Sequence, residues 1–329
     1  MNPRREFVLA IGAAALTSVA ALAQQPGKPR RIGMLLLASQ KFHAGTGNDK
    51  LFLQGMREMG YVPGRDFVME ERFADGEVAR LPALVADLVR VGVDVIVTSG
   101  TQMTRAAQQG TQAIPIVVLL EADPVGNGFA VSLARPGKNL TGFSTQFAET
   151  VAKNLELLIQ TLPRLARVAL LSNPTNPAHK AQVATITAAA GKTGVKLITL
   201  AAGTLDDVTQ AIAAMVQEKA QAFVMLPDSF FTLHFGHIAQ LAQKNHLPSA
   251  YSRRQYPEAG GFMSYGQDIT ENWRLGAKFI DRLFKGAKPG DLPFEQPTTF
   301  EFVINMKTAQ ALGIKVPQLV LLQTTKVIE

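Results

Sequence analysis

The feature that most constrains this chain is a regular exchange of short apolar segments with longer amphipathic ones, run through once and then repeated. From Arg31, IGMLLL precedes the helix-periodic NDKLFLQGMREMG. DFVMEERF follows, then a helical stretch from Glu77 to Val91, DVIVTS, a helix opening at Gln102, and IPIVVLL. Short β-branched apolar runs alternating with segments of 3.6-residue period predict buried strands joined by right-handed crossover helices, hence parallel sheet. The second pass opens with RVALLSNPTNP and continues through a helix ending near Ala190, VKLITL, a helix from Leu205 to Lys219, AFVMLPD, a helix from Phe230 to Asn245, and LPSAY. Arg31 and Arg167, Gly60 and Gly194, and the Ile114-Pro115 and Leu247-Pro248 strand starts recur at nearly constant offset. Side-chain identity between the halves is low, so the repeat is one of plan: two α/β units of similar architecture.

The chain does not end with the second unit. LTGFST and a helix from Phe147 to Leu162 join the halves, and GGFMSYG, ITENWRLGAKFIDRLFKG and TTFEFVINM follow. Extra elements after two complete units mean that the chain crosses between them more than once, which makes a hinge of several segments. The expected fold is α/β, two Rossmann-like lobes with parallel sheets. The first lobe takes residues 30–145 plus about 266–296, and the second takes 146–265 plus about 297–329.

The first residues are set aside as a targeting segment. Arg4 and Arg5 precede an apolar run from Phe7 to Ala21, and Ala21-Leu22-Ala23 offers a cleavage site before Gln24, so residues 1–23 read as a secretory signal peptide. The run is shorter than the roughly 20 residues a spanning helix needs. The expected location is the periplasm. Arg4-Arg5-Glu6-Phe7-Val8 also resembles a twin-arginine export signal, although paired arginines occur in ordinary signals too. With no cysteine in the chain, lipobox anchoring, disulfides, thiol catalysis and Fe–S ligation are excluded. The formal charge of +7 is scattered in singles and pairs such as Arg253-Arg254, which reads as a solvated surface and argues against nucleic acid.

Enzymatic signatures are missing. There is no GxSxG elbow and no SxxK. His234 and His237 share i, i+3 spacing but have no further ligand nearby in sequence, so no metal is expected. Glu70 and Glu71 are adjacent on a strand and therefore point to opposite faces, which rules them out as one acid/base pair. A non-enzyme without cofactors is expected, with an exported hydrolase as the remote alternative.

GYVPGRDFVMEERFADG, LVRVGVDVIVTSGT, IPIVVLLEADPVGNGF, SLARPGKNLTGFST, LSNPTNPAH, AGGFMSYGQD and LFKGAKPGDLPFEQPTTFEFVINMKTAQALG resemble the ABC transporter solute-binding proteins that include tryptophan- and tyrosine-binding members. The resemblance implies a type I periplasmic-binding-protein fold with a three-segment hinge. It also implies capture of a small solute, often an amino acid, and its delivery to a membrane permease with a cytoplasmic ATPase; a monomer is expected. A sensory receptor for the same kind of ligand is the alternative that sequence leaves open.

In open α/β sheets ligands sit outside the carboxyl ends of the strands. The loops expected to line a shared cleft are therefore 39–48, 98–101 and 121–127 from the first lobe, with 172–177, 227–231 and 251–256 from the second. At VTSGTQMT, a helix N-terminus with unpaired N–H groups meets small hydroxyls, a pattern suited to a carboxylate. Ser99, Gly100 and Thr101 are the expected anion site, with Thr104 one turn on, and Ser39 is a further candidate hydroxyl. Asp123, next to Pro124, and Asp228 are candidate acceptors for an amino group, one per lobe, though either can equally cap a helix. Asn173 and Asn176 in SNPTNP are polar candidates with an equally good claim as turn formers. Phe42, Phe147, Phe230, Tyr251 and Tyr265 are candidate walls for the apolar part of a ligand.

Overall fold

The computed structural model describes residues 28–145, 147–296 and 298–329. The expected signal peptide lies outside the described residues. In chain order the first lobe builds β1 (Arg30–Leu36), α1 (Gln40–Thr46), α2 (Asn48–Glu58), β2 (Phe67–Phe73), α3 (Leu81–Val91), β3 (Val95–Thr98), α4 (Thr101–Gly110), β4 (Ile116–Glu121) and β5 (Leu140–Ser144). The second builds α5 (Phe147–Thr161), β6 (Arg167–Ser172), α6 (His179–Gly191), β7 (Lys196–Ala201), α7 (Leu205–Gln217), β8 (Ala222–Met225), α8 (Ser229–Leu233), α9 (Phe235–Lys244), β9 (Ser249–Tyr251), α10 (Gln255–Glu258) and β10 (Met263–Gln267). Then come α11 (Glu271–Phe284), β11 (Phe300–Asn305), α12 (Met306–Ala311), α13 (Gln318–Leu321) and β12 (Lys326–Ile328).

The first sheet has the order β2-β1-β3-β4-β5, and the second contains β7-β6-β8-β9-β10, the same order shifted by one repeat. Low side-chain identity thus conceals identical strand topology. The second sheet is extended by β11 and β12, and the β10–β11 pair is its one antiparallel junction. That pairing follows from the chain's path: it leaves β10, forms α11 against α2 and β4 of the first lobe, and re-enters the second sheet from the other end.

The chain passes between the sheets after β5, after β10 and before β11, and the last crossing runs beside the first. Phe143 bridges to Glu295, and the Ser144 N–H donates to the Glu295 carbonyl at 2.9 Å. Gly142 permits the close approach of β5 to β4, since a Cβ there would meet the Val118 carbonyl oxygen at 2.0 Å and its φ is +142°. Each sheet is covered on both faces, which explains its near-continuous apolar strands. One apolar cluster runs unbroken from the α3/α4 side of the first sheet to the α7/α9 side of the second, so the two lobes are in contact.

The expected single helix from Phe230 to Asn245 is broken at His234, whose φ of −116° and ψ of 20° end α8 before α9 starts. Its ring rests on Phe230, centroids 4.7 Å apart, and Gly236 immediately beyond weakens helical continuation. No described helix is long and apolar enough to cross a membrane.

Candidate functional site

The carboxyl ends of β3 and β4 bring α4 and Glu121 together. Gly100 is buried at φ +113°, its N–H donating to the Leu120 carbonyl at 2.8 Å, and it leaves the first turn of α4 without a side-chain cap. Thr101 donates its hydroxyl to Glu121 Oε1 at 2.8 Å, rather than offering it to a bound anion. The same oxygen accepts from Asn127 Nδ2 at 2.9 Å and the Ala122 N–H at 3.1 Å, while Oε2 is buried with no partner among the described residues. Burial pushes the Glu121 carboxyl up to about 7, against the opposing pull of Thr101, Asn127 and the neighbouring N–H groups.

The expectation that Thr104 faces the cleft is corrected. It is fully buried, its hydroxyl 3.0 Å from that of Thr98 and donating to the Gly100 carbonyl at 3.0 Å, because the α4 face one turn on turns into the lobe interior. Asp123 is exposed and closes a turn by accepting from the Gly126 N–H at 2.8 Å; the Pro124 carbonyl takes the N–H groups of Phe129 and Ala130. Ser99 is half-buried. Ser39 caps α1 by accepting from the Phe42 N–H at 3.3 Å, and Phe42 is half-buried on that helix.

Across the cleft, Asp228 is a helix cap with both carboxylate oxygens engaged. Oδ1 takes Asn173 Nδ2 at 3.0 Å and the N–H groups of Phe230 and Phe231 at 2.8 and 3.2 Å, and Oδ2 takes Asn176 Nδ2 at 2.8 Å. Asn173 and Asn176 are spent in the same way: their carbonyl oxygens accept from Thr175 and from the Ala178 N–H. His179 Nδ1 accepts the Asn173 N–H at 2.8 Å, so its Nε2 donates to the Pro227 carbonyl at 3.1 Å. Burial lowers the His179 pKa, consistent with this neutral ring. The three polar candidates of the second lobe thus form a framework that holds two cleft loops to each other, in the capping and turn-forming roles that the sequence left open.

The aromatic candidates divide similarly. Tyr251 is fully buried and stacked on Tyr256, centroids 4.3 Å apart; Tyr265 stacks on Phe300; Phe147 belongs to the core. Phe230 is buried beside Phe231 in the cluster that spans both lobes.

The lobes meet at α4. Gln102 Nε2 donates to Thr175 Oγ1 at 3.2 Å, and a Cβ built on Gly100 would lie 2.6 Å from Ser229 Oγ. Several buried polar atoms at the strand ends lack partners among the described residues: Gln102 Oε1 and Glu121 Oε2 from the first lobe, Ser252 Oγ from the loop after β9 and Gln255 Oε1 from the start of α10. That loop also holds Arg253. Arg254 pairs with Glu301 at 3.0 Å, whereas Arg253 has no carboxylate at ion-pair distance among the described residues. Burial pushes its guanidinium below the ordinary arginine range, offset only in part by Tyr256 and Asp268.

Sequence reasoning placed Glu121 and Arg253 in cleft loops but selected neither. The signal for Glu121 is an acid directly continuing the buried run IVVLL; Arg253 and Arg254 are indistinguishable until their partners are seen. Two cavities, of about 720 Å³ beside Lys138 and Lys288 and about 730 Å³ beside Lys307 and Val316, open at the opposite ends of the sheets.

The family model for ABC transporter substrate binding proteins matches residues 47–328. A tyrosine-binding protein of Clostridioides difficile is 24% identical over 266 residues, 81% of this chain and 76% of that protein. Among solved structures, a conserved domain protein from Vibrio cholerae is 26% identical with a TM-score of 0.84, covering 91% of this chain and all of the other. A Streptococcus pneumoniae ABC domain in complex with L-Trp is 26% identical with a TM-score of 0.83, covering 92% of this chain and all of the other. The two-lobed α/β architecture is that of the type I periplasmic binding proteins. With its repeated topology, its hinge of three crossings and a match over nearly the whole described length, the chain belongs to the ABC transporter substrate-binding protein family.

Proposed function

We propose that the chain is the exported, solute-capturing component of an ABC importer. Its solute is a small carboxylate-bearing compound, an amino acid or a close relative, delivered from the periplasm to a membrane permease. The observation that carries this reading is Arg253, a half-buried guanidinium in the loop after β9 that has no carboxylate at ion-pair distance among the described residues and feels Asp268 only from further away. A partly desolvated guanidinium with no paired carboxylate is costly, and a ligand carboxylate meeting it through two parallel hydrogen bonds offsets that cost. Glu121 offers the complement: its partnerless Oε2 is an acceptor for an ammonium group, and binding a cation there favours ionisation of a carboxyl that burial keeps near neutrality. The tyrosine-binding and tryptophan-bound relatives support the amino-acid class, and the Arg4-Arg5 leader supports export.

Glu121 and Arg253 belong to different lobes, so a ligand touching both stabilises the closed arrangement over the open one. Its differential affinity sets the population shift. The test is a thermal-shift and calorimetric screen of protein unfolded and refolded to strip carried solute. A cognate amino acid at a thousand times its Kd adds about 4 kcal/mol, which raises the midpoint by several degrees. Its carboxamide is expected to bind at least tenfold more weakly, as is the acid to Arg253→Lys. A shift with polyols but with no amino acid, or full affinity in Arg253→Ala, overturns the reading.

A further inference from the structure

At the edge of the first lobe, away from Arg253 and Glu121, three donors converge from three elements. Gly47, in the left-handed region at φ +74°, ends α1 and begins α2, a turn that folds His43 of α1 back beside Asp49 in the first turn of α2. Beneath them Glu71 of β2 lies level with Met34 in the sheet, on the face that carries Met69 and Phe73. The imidazole nitrogen and one oxygen from each carboxylate all lie within 4.8 Å of one another. His43 is 3% exposed, its ring held between Phe73 and Trp273 at centroid distances of 6.1 and 5.4 Å. Its Nε2 is buried and makes no hydrogen bond of acceptable geometry, although Asp49 Oδ1 lies against it. The carboxylate of half-buried Glu71 makes no hydrogen bond or ion pair with any described residue.

We propose that His43, Asp49 and Glu71 form a binding site for a divalent first-row transition-metal ion, with Zn²⁺ the best match to the donors. One imidazole and two carboxylates, with no sulfur, suit such an ion, and a fourth position is left for water. A tetrahedral site needs only modest contraction of the observed spread, since bonds of about 2.0 to 2.2 Å place donors roughly 3.4 Å apart. The ion would tie α1 and α2 to β2 and so fix the segment that carries Ser39 and Phe42. His234 and His237 provide the contrast: no carboxylate joins them in such a cluster among the described residues.

Trp273 is the only tryptophan in the chain and touches the His43 ring, so it reports on this site directly. Chelator-treated full-length protein is titrated with Co²⁺ while Trp273 fluorescence is followed, and with Zn²⁺ by calorimetry. The expected result is one saturable site, quenching of Trp273 by Co²⁺ and its reversal by Zn²⁺. Asp49→Asn and Glu71→Gln, which preserve shape, each weaken Zn²⁺ at least tenfold, while His237→Ala leaves affinity unchanged. No Co²⁺ response at Trp273, unchanged affinity in both carboxamide variants, or loss of binding in His237→Ala would each overturn the proposal.

Discussion

Two buried carboxylates stand at strand ends, Asp228 in the second lobe and Glu121 in the first, and the protein uses them in opposite ways. Asp228 accepts four hydrogen bonds from its own lobe, with both oxygens engaged. Glu121 accepts three at one oxygen and leaves the other buried with no partner among the described residues. The first is a fastener for the loops after β6 and β8; the second is an unfilled valence in a place where a ligand could fill it. Burial alone does not mark a binding residue, because what separates the two is how much of each group's hydrogen-bonding capacity the fold already consumes.

This contrast breaks most sharply at Asp228. Asp228→Ala strands two buried carboxamides and two helix-terminal N–H groups at once, and is expected to cost about 3 to 5 kcal/mol of stability by urea unfolding. A loss below about 1 kcal/mol would mean that the network is ornamental.

Glu121→Gln should do the reverse. The native carboxyl keeps its proton between the ordinary value of 4.5 and about 7, where the unfolded chain releases it. The native state therefore binds more protons in that window, and stability falls as pH rises through it. The Gln variant escapes this loss, so it should unfold later than the parent at pH 8, by on the order of 3 kcal/mol, with the gap closing towards pH 4.5. It should also bind an amino-acid ligand more weakly. A variant destabilised at pH 8 would show that Glu121 is ionised and satisfied in the native state.

The smallest effect is expected at the contact joining the two lobes. Gln102→Ala removes the hydrogen bond to Thr175 and should favour the open arrangement by about 1 kcal/mol, read as a larger radius of gyration in solution scattering without ligand. An unchanged radius would assign lobe contact to the apolar cluster alone.

Much of the architecture was legible because apolar periodicity is a local property. The β-branched runs before Ser99, Asp123 and Asn173 are strands, and the repeat in sequence is a repeat in strand order. The break at His234 was not legible, since it depends on a ring contact and a weak helix former together. The candidate site was legible by loop and not by residue. Thr104 looked like a partner of Thr101 from helical spacing, yet its hydroxyl is committed to Thr98 across the β3–α4 turn. Asp123 and Glu121 are two residues apart, and only their partners show that the first closes a turn while the second is buried.

The sequence by itself determined the two-unit plan, the strands and most helices, and which loops end up at the strand termini, because these follow from periodicity and turn chemistry within a few residues. The tertiary structure decided which side chains in those loops are spent and which are free. Asn173 meets Asp228 across 55 positions, Gln102 meets Thr175 across 73, and Arg253 finds no carboxylate at ion-pair distance among the described residues while its neighbour Arg254 finds Glu301. Whether a polar group is satisfied depends on distant partners brought close by folding, and no local pattern encodes that.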